Sequence, residues 1–456
     1  MNESQTERTI LPAAGAQTMQ YPLGPLEETF WSVGNRFHGD GTGTISARLG
    51  GIVRPETLSG ALAILQKRHP RLRARIVTSK SGRACYEVSP SMSPIPVFVK
   101  RFPAQELPWA SEAQRSLEID FNPQGPLVHV TVLQSDVCPV SELMLTIHHS
   151  LTDGTAGLML LHQLLANYEE LWSGKSLESV LDATESLPFV AADIPPITAP
   201  WRDRWQMFVR HVREYMRKRR SGWTVLPSDS PEYSPRWFRQ QLSSDDTLAL
   251  ERLFRKRRIS VYGALFALAV TSLAESMPSE PVQFACRCPI NMRDLPYCER
   301  QISYEHLGCF VAGLDRVYTL SKPYDFWGLA RAACDDVREF TVKQGPAMAL
   351  TLVPWAGRLA GVFRISPKRP PMRDTISVNY IPCPTTLKQQ YGDLTLESIT
   401  GLNRCRYMGV SLTVAGTLMH GRINLVLGAV NVSERLREAF HATLIANIGR
   451  LIRGEI

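Results

Sequence analysis

Between Glu142 and Trp172 the chain changes pattern once. Glu142–Ile147 (ELMLTI) is a short apolar run of strand type. Gly154–Trp172 repeats apolar residues at Leu158, Leu161, Leu165, Tyr168 and Trp172, the spacing of an amphipathic helix. Only His148-His149-Ser150-Leu151-Thr152-Asp153-Gly154 lies between them. A buried strand running through so short a loop into a helix is an α/β junction, and such junctions present loop side chains towards clefts.

The rest of the chain repeats the alternation. Glu56–His69 places Leu58, Ala61, Leu62 and Leu65 on one helical face, and Leu72–Val77, Val97–Arg101 and Val128–Leu133 are strand-like runs between Pro, Ser and Gly clusters. Proline and serine accumulate at Asp193–Pro200 and Leu226–Pro235, the borders of a connecting segment. The pattern then restarts with helices over Asp245–Arg257, Val261–Ala274 and Tyr324–Val342, a strand over Val282–Cys288, and strands with turns over Asp393–Asn431. For 456 residues this predicts a first lobe over 1–195, a crossover segment over 196–235 and a second lobe over 236–456.

With 44% hydrophobic and 21% charged residues, disordered, collagen-like and small disulfide-scaffold classes are excluded. Met1–Gln20 lacks an apolar core, so no signal peptide is expected. Val261–Leu273 is too short to span a bilayer, and Pro346–Phe363 is broken by Pro354 and Arg358. Nine scattered cysteines then suggest reduced thiols in a cytoplasmic protein. Cys286 and Cys288 form a CxC without a second pair at zinc spacing, so they are expected as small core residues rather than metal ligands.

The formal charge of +8 invites a polyanionic partner, but it is local. Trp201–Arg220 (WRDRWQMFVRHVREYMRKRR) contributes +6 and Glu251–Arg258 (ERLFRKRR) contributes +4, which leaves −2 for everything else. Neither run sits in a nucleic-acid reader motif, so nucleic acid is not expected. In the first run Trp201, Trp205, Phe208, Val212 and Tyr215 share a helical face. That face can pack on a core as a crossover helix, the expected outcome, or lie on a membrane surface as a peripheral contact. The second run ends a helix and can attract the phosphates of coenzyme A or an acidic carrier protein.

An HHxxxDG pattern arises by chance in about one chain of this size in a thousand. If strand geometry persists through the pair, His148 and His149 point to opposite sides, which disfavours one shared metal and leaves one imidazole for a channel. A neutral imidazole can take a proton from an attacking hydroxyl, amine or thiol and return it to the leaving group. Asp153 can orient that ring or hold the loop through a cation. Gly154 relieves crowding and permits an uncommon backbone angle. No phosphate loop, serine elbow or metal set stands out, which points to direct transfer without a cofactor.

His148–Gly154 resembles the signature of the condensation and acyltransferase superfamily, which includes chloramphenicol acetyltransferases, nonribosomal peptide condensation domains and plant acyltransferases. Pro22–Trp31 (PLGPLEETFW) is similar to the start of its polyketide-associated, mycocerosyl-transferase-type members. Leu65–Ile76 (LQKRHPRLRARI) resembles the step that opens the first lobe, and Pro289–Arg293 (PINMR) a strand end of the second. Leu307–Phe310 (LGCF) and Ser377–Asn379 (SVN) match later motifs more loosely. The plant-type Asp-Phe-Gly-Trp-Gly motif is absent, Tyr324–Gly328 (YDFWG) being only an echo; the usual Gly-Asn and Ser-Asn pairs are Gly308-Cys309 and Ser377-Val378-Asn379.

The resemblance implies two chloramphenicol-acetyltransferase-like lobes, mixed sheets flanked by helices, forming a V around a central tunnel. It makes His149 the general base, with His148, Asp153, Gly154 and Arg293 as structural support and Arg293 paired to Asp153. Ser377, or a backbone N–H near Gly154, is a candidate for the oxyanion. The implied reaction moves an acyl group from acyl-CoA or an acyl carrier protein to a small-molecule alcohol, in a monomer with no metal. Amide-forming condensation of carrier-bound substrates and a non-catalytic carrier-docking role are the alternatives.

Overall fold

A computed structural model describes residues 18–37, 41–90, 93–195, 197–220, 224, 226–229, 235–278, 280–295, 297, 302–352, 374–404 and 410–456; within these, the side chains of 33–37, 211, 215–220 and 374 are not described. Most of Pro346–Phe363 and part of the crossover segment lie outside the described residues.

The first lobe is built on a six-stranded sheet ordered β12-β13-β2-β7-β6-β5, in which β12 is Gln390–Tyr391 and β13 is Leu394–Asn403. Its centre is β2 (Thr42–Gly50), β7 (Val140–His148) and β6 (Val128–Ser135), all antiparallel, with β5 (Val97–Phe102) added in parallel. Almost every side chain of β6 and β7 is buried, as both faces of this sheet are covered. On one face lie α2 (Pro55–Arg68) and α4 (Gly154–Trp172), whose Leu58, Leu62, Leu65, Leu161 and Leu165 join one core with Leu143, Leu145 and Ile147. A small sheet of β1 (Met19–Pro22), β4 (Ala84–Val88) and β3 (Ala74–Thr78) closes one side.

The second lobe carries a sheet ordered β10-β9-β11-β14-β15-β8, made of β8 (Pro235–Gln241), β9 (Val282–Asn291), β10 (Val311–Leu320), β11 (Asp374–Tyr380), β14 (Val410–Met419) and β15 (Arg422–Val430). Here β11 runs parallel to both neighbours and the other pairs are antiparallel. Helix α8 (Val261–Glu275) is apolar around its whole circumference, with twelve consecutive residues buried from Gly263 to Ala274. It is therefore a core helix, flanked by α9 (Phe326–Val342) and the C-terminal helix Glu434–Ile452. Among the described residues no single helix is long and apolar enough to cross a membrane; α7 (Ser244–Arg257) and α8 have the length only together, across a 103° bend.

Two features depart from the simple partition of the chain. The hairpin β12 (Gln390–Tyr391) and β13 (Leu394–Asn403) was expected within the second lobe, but β13 pairs antiparallel with β2 along its length, placing Thr400 opposite Ser46. Its alternating Leu394, Leu396 and Ile399 explain the transfer, since they complete the first-lobe core. The lobes also share a seam in which Leu107, Trp109 and Met144 pack with Trp237, Leu402 and Val426. Arg239 of β8 crosses it to both carboxylate oxygens of the fully buried Glu142 on β7, at 2.9 and 3.0 Å. Both bonds come from one nitrogen, Nη1, which bridges the two oxygens, and Trp109 lies under the guanidinium 4.8 Å away.

Cys286 and Cys288 lie on β9 and are buried among core side chains. The Tyr324–Gly328 echo is the start of α9, where the Asp325 carboxylate caps the helix by accepting from the Gly328 amide at 2.8 Å.

Candidate active site

The junction between β7 and α4 folds as a tight turn. β7 ends at His148, whose Nδ1 accepts from the Ser150 amide at 3.2 Å and lies 2.8 Å from its hydroxyl; the Leu151 amide donates to the His148 carbonyl at 2.9 Å. The two imidazoles diverge. His148 is 5% exposed and packs edge-on against Trp31 and Phe121, and burial holds its pKa down to about 3. The His149 amide donates to the Gly41 carbonyl, and its ring stacks on Phe30 with centroids 4.2 Å apart and planes within 6°.

His149 is less covered than His148, retaining accessible surface although it lies deep enough for desolvation to lower its pKa. The nearby carbonyls of His149 itself and Thr152, with Asp153, oppose that shift without cancelling it. Of the two ring nitrogens only Nδ1 is enclosed without a partner in hydrogen-bond geometry. Nε2 is left as the nitrogen that can meet a substrate.

Asp153 is the N-cap of α4. Oδ1 accepts from the Ala156 amide at 2.9 Å, while Oδ2 accepts from Arg293 at 2.7 Å and from the Phe310 amide at 2.9 Å. Arg293 comes from the turn after β9 and has no exposed side-chain surface. Its other nitrogen donates to the His306 carbonyl at 3.1 Å, and the Phe310 ring lies 4.7 Å from the guanidinium carbon. Asp153 thus ties the motif loop to the second lobe. Gly154 is not in the left-handed region; a Cβ there would stand 2.5 Å from Ile381 Cδ1, so the glycine serves close approach rather than the uncommon angle expected.

A second buried ion pair was not foreseen. Glu27 of α1 (Pro25–Phe37) and Arg71 meet at 2.8 Å with side chains 0% and 3% exposed. Glu27 also accepts from the Gly24 amide at 2.8 Å and the Cys309 amide at 3.2 Å, while Arg71 donates to the Val190 carbonyl and lies over Tyr86 and Phe189. Glu27 and Asp153 therefore hold the successive amides of Cys309 and Phe310. The residue before them, Gly308, has φ +150°, and a Cβ there would meet Phe310 at 2.5 Å. The signal was present in α1: Glu27, Phe30 and Trp31 share a helical face, so a carboxylate fell on the stripe that turns inward.

Ser377, the side-chain candidate for the oxyanion, lies on the interior strand β11 and is buried. Its hydroxyl donates to the Asn379 side-chain carbonyl at 3.2 Å. The basic run Glu251–Arg258 ends at a surface cavity of about 370 Å³, where Arg257 and Arg258 are joined by Arg331, Arg338 and the single acid Asp335. Among the described residues no cluster of His, Cys, Asp and Glu has the geometry to hold a metal.

No family model matches the chain. Solved structures of the same architecture do. The trichothecene 15-O-acetyltransferase TRI3 from Fusarium sporotrichioides superposes with TM-score 0.69 at 12% identity, covering 96% of this chain and 97% of that one. Polyketide synthase associated protein 5 from Mycobacterium tuberculosis gives 0.60 at 15%, covering 95% and 98%. The chain has the same two-lobed α/β fold as these structures. The starter condensation domain of rhizomide synthetase RzmA, solved with C8-CoA and Leu-SNAC, gives 0.61 at 16%, covering 93% and 94%. Among curated proteins, malpinin synthetase of Mortierella alpina is 27% identical over 234 residues, which is 48% of this chain but only 3% of that protein's length.

Proposed function

We propose that this protein is an acyltransferase that moves an acyl group from a thioester to an acceptor hydroxyl, with His149 as general base. The observation that carries this reading is the His149 imidazole: deep, neutral, stacked on Phe30, with Nδ1 enclosed and Nε2 not. With the proton on the enclosed Nδ1, the Nε2 lone pair is free, the tautomer a general base needs. Nε2 takes the alcohol proton as the oxygen attacks the thioester carbonyl. The C–O bond forms, the tetrahedral intermediate collapses, the C–S bond breaks and the thiolate leaves with that proton. The rigid turn around Asp153 and Arg293 keeps the ring in position, which is worth more to rate than added binding.

The oxyanion is assigned to backbone N–H groups at the start of α4, the positive end of that helix. Ser377 is the weaker candidate because its hydroxyl is already donated to Asn379. Coenzyme A or a carrier phosphopantetheine is the thioester carrier, and the cavity of Arg257, Arg258, Arg331 and Arg338 is a place for their phosphates. The superfamily's tunnel is taken as the route by which donor and acceptor reach His149 from opposite sides.

Amide-forming condensation is the second reading, favoured by the likeness to a synthetase and to a starter condensation domain. Mass spectrometry of products from a panel of acyl-CoA thioesters with alcohols and amines separates the two. Esters support the first reading, amides the second, and free acid alone with every acceptor refutes both.

A further inference from the structure

Helix α6 (Trp201–Arg220) turns its apolar stripe outward, contrary to the expectation that it would meet a core. Trp201 is 70% exposed and Trp205 60%, and Phe208 and Val212 are exposed beside them. At helical spacing these four fall within about 60° of arc. The opposite face is already engaged: Met207 is buried, Arg210 pairs with Asp336 and Glu339 of α9, and Glu214 accepts from the Val317 amide of β10. Those contacts fix the helix rotation, so the stripe cannot turn inward without breaking them.

We propose that this outer face of α6 is a membrane-contact surface, laying Trp201, Trp205 and Phe208 into the headgroup region of an anionic bilayer. Three observations favour a lipid surface over a protein partner. Indoles with one apolar body and one N–H belong at the boundary between hydrocarbon and water. The exposed Arg202, Arg204 and Arg213 flank the stripe, with the Arg202 guanidinium 5.9 Å from the Trp201 ring, so charge surrounds the apolar line as on an interfacial helix. The stripe presents roughly 400 Å² of apolar surface, about half of what each side of a stable protein interface buries. That area is small for a dimer and sufficient for shallow, reversible partition.

The test is flotation of the full chain with vesicles of phosphatidylcholine, alone or mixed with phosphatidylserine. The protein should float with the mixed vesicles and stay behind with phosphatidylcholine, and added salt should weaken the association. Trp201→Ala/Trp205→Ala should lower the floated fraction by about tenfold or more at unchanged melting temperature, since both indoles are solvent-facing. Arg202→Glu/Arg204→Glu should abolish the preference for phosphatidylserine while leaving the stripe intact. Failure of the folded wild type to float, or equal flotation of the tryptophan variant, overturns the proposal. Concentration-dependent self-association without lipid, lost in the tryptophan variant, overturns it in favour of a second copy of the chain.

Discussion

Replacing Asp153 by alanine removes three interactions at once. The Arg293 guanidinium, with no exposed surface, loses its only carboxylate among the described contacts; α4 loses its N-cap; and the Phe310 amide loses its acceptor. Breaking a buried ion pair from one side costs about 3–5 kcal/mol, because the surviving charge stays buried. The cap adds about 1 kcal/mol, and an orphaned buried amide about 1–3 kcal/mol. These terms overlap, so about 5 kcal/mol is the expected loss, which is the whole stability of a marginal domain. Thermal unfolding followed by circular dichroism should show a fall of roughly 5 °C where the 456 residues unfold together and about 10 °C where the first lobe unfolds alone. Asp153→Asn keeps a cap and an acceptor but no charge, and should lose about half as much. Asp153→Ala/Arg293→Met removes both charges and should recover much of the loss. A melting temperature for Asp153→Ala within about 2 °C of wild type would refute the claim that this carboxylate joins the lobes.

Glu27→Gln should destabilise by about 3 kcal/mol, and Glu27→Leu/Arg71→Met by clearly less, which urea unfolding of the single and double variants will read. Phe30→Leu keeps an apolar side chain but not the stacked ring; kcat for transfer should fall roughly tenfold with KM little changed, as expected when a base loses its orientation. Ser377→Ala should keep kcat within about threefold of wild type, since a dedicated oxyanion donor costs roughly a hundredfold or more. Acid should destabilise the protein in a defined window. His148 is held to about 3 and His69 to about 4 by burial, while in the unfolded chain both titrate near 6.5. Between those values the unfolded state binds the extra protons, so stability is complete above pH 6.5 and is lost as pH falls towards 4. A His148→Gln variant should show a shallower decline of melting temperature over that range.

The layered α/β organisation was legible because period-2 and period-3.6 patterns alternate cleanly, and the motif loop was legible because so few residues join β7 to α4. The pairing of Asp153 with Arg293 could be anticipated only through resemblance, since no local pattern links positions 140 residues apart. Glu27, Phe30 and Arg71 escaped for a related reason: their meaning depends on Cys309 and His149, contributed by distant segments. The outward stripe of α6 escaped because periodicity marks an apolar face without saying what covers it. The hairpin of β12 and β13 escaped because a strand pattern carries no address for its sheet. In each case the sequence encodes the local element and tertiary pairing decides its use.

The role of His149 as the base is tested most directly by product formation by wild type, His149→Ala and His149→Gln with the acyl-CoA and alcohol pair found active by mass spectrometry. Wild-type activity should fall on the acid side with an apparent pKa below 6.5, because the ring must be neutral to accept the proton. Both variants should melt as the wild type does and lose at least about a hundredfold in kcat. A folded His149→Ala protein that turns over at near-wild-type rate would contradict the mechanism.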